Sequence, residues 1–204
     1  MKKGSQEVVE KLQGGDGLKN FHLFVALIHY PVYNRTGQVV ATAITNLDVH
    51  DLARATLTYG GEAVFMVTPL ERQRWLLERI IQHWQVGHGA QTHPNRKEAL
   101  SRVMAVESLE DAIRAVRESC GEHPFCIGTT ARKRAGATTY AELRLRMSLG
   151  GSYLILFGTG WGLTDETLAS CDFVLEPIVG AGNYNHLSVR SAAAIVLDRL
   201  LGRG

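Results

Sequence analysis

The residues best placed to do chemistry are glycines. The apolar run Ser152–Phe157 ends in Gly158-Thr159-Gly160-Trp161-Gly162, and Thr164 then stands where it can cap a helix. Glycines at the carboxyl end of a strand let the backbone turn sharply and approach a ligand closely, with N–H groups left to donate. A dinucleotide fingerprint is the obvious rival, because Glu176 lies at a suitable distance downstream. Its spacing is wrong, G-x-G-x-G in place of G-x-G-x-x-G. Only 46 residues follow Gly158, too few for the rest of a dinucleotide domain. The segment Gly128–Ala135 lacks the spacing of a phosphate-binding Walker loop. Taken alone, the glycines fit a ligand-free strand-to-helix turn equally well.

A second segment changes the balance. Glu176-Pro177-Ile178 ends another apolar run, a polar loop carries Gly180 and Gly182, and a helix rich in small residues follows through Ser191-Ala192-Ala193-Ala194. Small side chains on a helix admit either a packed backbone or a ligand. Two glycine-containing loops at strand carboxyl ends can meet at one crevice, the place where open α/β sheets bind ligands.

Other chemistry-bearing residues are weaker signals. His50 and Asp51 are adjacent and cannot face one another on a helix, so they do not form a dyad. His83, His88 and His93 straddle a helix end and a loop without cysteine or carboxylate companions, which favours surface histidines over a metal site. Arg132-Lys133-Arg134, with Arg144 and Arg146 nearby, is the densest basic stretch, either a solvated face or a seat for a phosphate backbone. Arg35 sits in a turn-like Asn-Arg-Thr-Gly. Cys120, Cys126 and Cys171 have no metal-like spacing and read as reduced buried thiols. The net charge of +2 neither excludes RNA nor points to a dedicated polyanion binder.

Elements able to position these residues alternate along the chain. Apolar runs at 21–28, 39–44, 63–67, 124–129, 152–157 and 173–178 read as strands. Helical patterns at 48–59, 71–84, 109–120, 140–149, 165–170 and 188–201 lie between them. Ser108 with Asp111 and Thr139 with Glu142 resemble capping boxes, and Gly60, Gly121 and Gly150 stop their helices. Gly87–Arg96 reads as a long exposed loop. Nearly all-apolar strands separated by helices imply α/β architecture: one domain, a mostly parallel sheet, and helices on both faces. The 204 residues, 45% hydrophobic and 21% charged, are enough for one real core. Residues 1–20, polar and holding four glycines, read as a flexible leader, leaving 21–204 for the domain. The longest apolar run is too short to span a bilayer, so a cytoplasmic protein without a membrane partner is expected.

Taken together, the motifs resemble the SPOUT superfamily of methyltransferases. Leu156-Phe157-Gly158-Thr159-Gly160-Trp161-Gly162-Leu163 matches its glycine loop. Leu175-Glu176-Pro177-Ile178 matches the strand end before its second loop, and Leu187-Ser188-Val189-Arg190-Ser191-Ala192-Ala193-Ala194 matches its final helix. Asn46, Arg54 and Gly60 match the first motif. The stretch from Tyr33-Asn34-Arg35 to Thr58-Tyr59-Gly60 more narrowly resembles a compact bacterial family of S-adenosylmethionine (SAM)-dependent RNA methyltransferases.

The resemblance implies a carboxyl-terminal trefoil knot, a homodimer, and SAM as cofactor with S-adenosylhomocysteine as product and no metal. It places cofactor contacts at Leu156, Phe157, Gly158, Thr159, Gly160, Gly162, Ile178, Gly180, Gly182, His186, Leu187, Ser188 and Ala193. Arg54, supported by Asn46 and with Arg35 as a further candidate, would orient the acceptor. Arg132, Lys133, Arg134 and Arg35 would contact the RNA. The glycine loop lacks the Glu usual in the ribose-methylating branch and is one residue shorter, which leaves ribose and base open as targets. The leading expectation is methyl transfer to a base or ribose of a structured RNA, tRNA or rRNA. A non-catalytic SAM- or nucleotide-binding regulatory module is the alternative, and an NAD-type oxidoreductase ranks third.

Overall fold

A computed structural model describes residues 21–182 and 184–202; the leader read at 1–20 lies outside the described residues. The strands are β1 (Phe21–Ile28), β2 (Val32–Tyr33), β3 (Val39–Val40), β4 (Ala63–Val67), β5 (Val103–Val106), β6 (Phe125–Gly128), β7 (Gly151–Gly158) and β8 (Phe173–Val174). The helices are α1 (Asn46–Thr58), α2 (Glu71–Val86), α3 (His88–Thr92), α4 (Pro94–Ser101), α5 (Leu109–Cys120), α6 (Tyr140–Met147), α7 (Asp165–Ala169) and α8 (Val189–Leu201).

The apolar strands form a sheet because side chains of both parities need burial. In β1, Leu23, Val25 and Leu27 face one core, while Phe24, Ala26 and Ile28 face the other. The first core is closed by Val49 and Leu52 of α1, Leu77 of α2, Leu100 of α4, Leu143 of α6 and Val196 of α8. The second is closed by Ala112 and Val116 of α5 and Leu168 of α7. Each such large side chain, fully buried, contributes about 1.5–3 kcal/mol of transfer free energy. The sheet order is β5-β4-β1-β7-β6-β8, with every adjacent pair parallel. The α/β expectation holds.

From β1 the chain builds outward through β4 and β5, then crosses to lay β7, β6 and β8 on the other side. The junction of β1 and β7 is therefore a topological switch point, and a crevice opens at the carboxyl ends there. Local signals set the register of the surrounding helices. Ser108–Asp111 and Thr139–Glu142 both form reciprocal capping boxes, and Thr164 accepts from the Thr167 N–H. Gly121 ends α5 in the left-handed region at φ 77°.

Three expectations are corrected. The run at 39–44 pairs only at Val39–Val40, antiparallel to Val32–Tyr33, because the chain turns toward α1 once the Thr42 N–H bonds the His29 carbonyl. Gly87–Arg96 is not a loop but carries α3 and the start of α4, with Pro94 in the first turn, where its missing N–H costs nothing. The run at 173–178 ends as a strand at Val174; the Leu175 N–H still bonds the Gly128 carbonyl (2.9 Å), and Leu175 forms an isolated bridge to Thr138. The edge strand β5, four residues long, went unread between two helical patterns.

Candidate functional site

Four connections converge at the switch point around a cleft of about 760 Å³. Its floor is apolar: Phe157, Leu163, Leu168, Leu175 and Val196 are buried. Thr45, Asp48, Arg132, Arg134, Glu176, His186 and Ser188 supply its polar wall and rim. An apolar floor with a few convergent polar groups suits a ligand of nucleoside size.

The glycine loop is not the open amide cradle that its sequence suggests. The Thr159 N–H donates to the Ile28 carbonyl (3.1 Å), Trp161 N–H to Tyr33 (2.8 Å) and Gly162 N–H to Thr159 (3.0 Å). The Tyr33 N–H returns to the Gly162 carbonyl (3.0 Å). These bonds engage the N–H groups of Thr159, Trp161 and Gly162 and fix the loop against β1 and β2 as a rigid wall. Gly158 is required by the loop itself rather than by a ligand, since a Cβ there would lie 2.5 Å from the Leu163 nitrogen and 2.8 Å from the Gly162 carbonyl carbon. Gly160, at φ +58°, sits directly on the Tyr33 carbonyl, 2.8 Å from where its Cβ would be. The second loop is the opposite case. Among the described residues, no backbone hydrogen bond involves Ile178, Val179, Gly180, Ala181 or Gly182, and the Cβ positions of Gly180 and Gly182 face open space.

Most of the residues expected at a cofactor site do come together. Phe157, Gly158, Thr159, Gly160, Gly162, Ile178, His186, Leu187 and Ser188 line the cleft. Leu156 lies one step back in β7, where its carbonyl accepts from the N–H and hydroxyl of Thr129. Gly180 and Gly182 are on the loop but outside the lining. Of the small residues in α8, Ala192 faces the cleft, while Ala193 is packed into the core. Ser188 caps α8 by accepting from the Ser191 N–H.

The acceptor-side residues do not reach this cleft within one chain. Asn46 opens α1 and is exposed, Arg54 is exposed further along the helix, and Arg35 occupies the exposed β2–β3 turn ordered by the Asn34 side chain. Arg132 and Arg134 line the cleft, with Arg134 paired to Asp165, but Lys133 does not line it. Arg146 leaves the basic stretch altogether, its guanidinium over the rings of Phe125 (4.6 Å) and Phe173 (5.0 Å) at the amino ends of β6 and β8. His50 contacts Trp84 edge-on, whereas Asp51 pairs with Arg190, so the two adjacent residues form no dyad. His83 and His93 also contact Trp84. Among the described residues, a group of metal-capable side chains lies at His22, Glu62 and Cys120, at the opposite end of the sheet.

Two polar networks were not legible in the sequence. Arg190, in the first turn of α8, donates to Asp48 (2.9 Å) and lies 3.2 Å from Asp51, while the Thr45 hydroxyl also donates to Asp48 (2.6 Å). The helix of the first motif is thereby clamped to the helix that follows the second loop. Behind the cleft wall, the Thr159 hydroxyl donates to the Ile28 carbonyl (2.9 Å) and meets the Thr42 hydroxyl, which meets Nδ1 of buried His29 (3.0 Å). The other ring nitrogen of His29, Nε2, is buried without a hydrogen-bond partner.

Burial pushes the His29 pKa down from 6.5 to about 4, with nearby Asp48 offsetting part of the effect. The unfolded chain therefore binds this proton at higher pH than the folded one. The contribution to stability is complete above pH 6.5 and is lost as pH falls toward 4. Between pH 7 and pH 5 the wild type should lose about 2 kcal/mol from this group. Urea unfolding at the two pH values measures the loss, and His29→Gln should remove it; an unchanged pH slope in that variant would assign the loss elsewhere.

Fold and cleft define an α/β protein with a nucleoside-sized site at a switch point, and comparison with known proteins supplies the class. Residues 22–202 match the family described as SAM-dependent RNA methyltransferase, and the chain belongs to that family. It is 44% identical over 181 residues to a tRNA (guanine-N(1)-)-methyltransferase of Nitratidesulfovibrio vulgaris, covering 89% of this chain and 42% of that protein. The chain thus spans less than half the length of that relative. An uncharacterized protein of Aquifex aeolicus is 37% identical over 185 residues, covering 90% of each chain. Solved structures share the fold. A probable methyltransferase from Bordetella pertussis aligns with TM-score 0.59 at 19% identity, over 89% of this chain and 95% of that one. The SpoU methyltransferase AviRb from Streptomyces viridochromogenes, in complex with AdoMet, aligns with TM-score 0.55 at 13% identity, over 95% of this chain and 60% of that one. The family's cofactor is SAM, and no helix among the described residues is long and apolar enough to cross a membrane.

Proposed function

We propose that the cleft binds SAM and that the protein transfers its methyl group to a base or ribose of a structured RNA, with tRNA the first candidate. The observation that carries this reading is the convergence of both glycine-containing loops on one cleft whose rim holds Arg132 and Arg134. When bound, SAM supplies an electrophilic methyl on a sulfonium. The chain's own part is to enclose and orient. The apolar floor from Phe157 to Val196 excludes water, and the unbonded backbone of Ile178–Gly182 offers donors and acceptors to adenine and ribose. The Glu176 carboxylate adds negative charge to the wall facing a cationic ligand, while accepting from the Tyr140 N–H (3.1 Å). Methyl transfer needs in-line geometry more than any other aid. The name of the Nitratidesulfovibrio relative motivates tRNA as the first substrate to try.

Calorimetry with SAM and S-adenosylhomocysteine tests the cleft. Transfer of labelled methyl from SAM into tRNA and rRNA of a strain lacking the gene tests the activity. Absence of binding at millimolar ligand sinks the cofactor assignment; binding without transfer to either RNA favours a non-catalytic SAM-binding module.

The proposal includes a trefoil knot in the carboxyl-terminal segment, a cytoplasmic location and a homodimer. Val196, Leu197 and Leu200 of α8 are buried in the chain's own core, which leaves Ser191, Ala194 and Ile195, exposed or half-buried, as the part of that helix open to a partner. Further exposed apolar surface includes Leu47, Leu70 and Trp75, which are 60%, 45% and 60% exposed. Sedimentation at micromolar protein should give the mass of two chains, and a single-chain mass contradicts the dimer.

A further inference from the structure

We infer that Trp161, His186 and Tyr184 form a stacking platform at the outer rim of the cleft for an unpaired nucleobase of the RNA; the inference rests on the RNA-methyltransferase reading above. Trp161 is 53% exposed and Tyr184 81%, an unusual amount of aromatic surface to leave in water beside a concave site. The His186 ring lies between them, with centroids 6.3 Å from Trp161 and 5.4 Å from Tyr184 and interplanar angles of 68° and 65°. This edge-to-face arrangement groups the rings without stacking them on one another, so ring faces remain available to a flat ligand.

The backbone beneath the platform is pinned. The Trp161 N–H is held by the Tyr33 carbonyl (2.8 Å), and the Asn185 amide donates to the Ala131 carbonyl (3.0 Å), tying the loop of His186 to the loop of Arg132. Trp161 and His186 both line the cleft, yet its floor is already apolar and deep at Phe157, Leu163 and Leu175. The floor suits the adenosine of SAM, which leaves the rim rings for a second planar group. An acceptor nucleotide must leave its helix to reach a buried methyl donor, and extruded bases are held by aromatic stacking. Arg132 stands on the same rim to meet the phosphate of that nucleotide. Arg134 is engaged by Asp165, so Arg132 is the better available charge. Stacking tolerates every base, so the platform holds the acceptor and does not choose it.

Two experiments separate this inference from its parent reading. Trp161→Ala and Tyr184→Ala should each lower kcat/KM for unfractionated tRNA about tenfold or more, with SAM affinity by calorimetry within about twofold of wild type, and Trp161→Tyr should restore most of the loss. The chain holds three tryptophans, so a Trp75→Phe/Trp84→Phe variant leaves Trp161 as the single reporter. Adding unfractionated tRNA in the presence of S-adenosylhomocysteine should quench its fluorescence. This second measurement decides the matter even where Trp161→Ala folds poorly. Unquenched Trp161 fluorescence in a chain that methylates tRNA, or full kcat/KM in Trp161→Ala, overturns the platform alone. A wild-type chain that binds SAM but methylates no RNA overturns the parent reading.

Discussion

Gly158→Val should abolish detectable SAM binding, a loss of at least ~10²-fold, and lower stability by about 2–4 kcal/mol. The reason is steric and internal to the loop. The added Cβ would lie 2.5 Å from the Leu163 nitrogen and 2.8 Å from the Gly162 carbonyl carbon, backbone atoms that cannot rotate away. Relief requires the loop to lift off β1 and β2, breaking the bonds from Thr159 to Ile28 and from Trp161 to Tyr33 that make it a wall of the cleft. Binding and stability should therefore fall together. Gly180→Ala provides the contrast: its Cβ position is open and its φ is not in the left-handed region, so stability should change by less than about 0.5 kcal/mol. Any loss of SAM affinity in that variant reports contact between ligand and the second loop. Calorimetry and urea unfolding of both variants measure the two effects. Gly158→Val that binds SAM within a few-fold of wild type would show that the cofactor does not depend on this wall.

The sheet and most helices were legible because burial and capping are written locally. β1 alternates between two cores, and Ser108, Thr139 and Thr164 mark helix starts through side chains that answer orphan N–H groups three residues on. The convergence of the 156–163 and 178–188 segments was legible for a related reason, since both follow strands of one parallel sheet. What could not be read were contacts between residues far apart in sequence with no local periodicity to betray them. Arg190 reaches Asp48 across 142 positions, and Thr42 reaches Thr159 across 117. The glycines misled in a specific way. A sequence shows that a residue lacks a side chain, but not whether the vacated space belongs to a ligand or, as at Gly158, to the loop's own backbone. Trp161 is the converse: its neighbour glycines are explained by the fold, while its own exposure is not.

Arg54→Ala should lower single-turnover methyl transfer by at least ~10²-fold, roughly 3 kcal/mol of transition-state stabilisation, with SAM affinity within a few-fold of wild type. The structure sharpens why the two effects separate. Thr45 and Asp48, at the start of α1, line the cleft, and Arg54 lies six residues beyond Asp48, about 9 Å further along the helix axis on an exposed side. Arg54 thus makes no contact with the cofactor floor of its own chain. If it orients an acceptor, it does so from outside that cleft, on RNA bound over the rim or, in the proposed dimer, at the partner's cleft. A guanidinium there can hold a phosphate in a fork of donors, so Arg54→Lys should rescue poorly. Mixing inactive Arg54→Ala chains with inactive Gly158→Val chains distinguishes the two placements. Recovery of transfer in the mixture assigns Arg54 to the partner's cleft, because each mixed dimer then holds one intact loop facing one intact arginine. No recovery in a mixture shown to exchange chains assigns it to the RNA bound over its own cleft. Near-normal turnover in Arg54→Ala removes the residue from the mechanism and passes its candidacy to Arg35. A parallel loss of SAM binding would instead mean that Arg54 supports the packing of α1, and with it the clamp between Asp48 and Arg190.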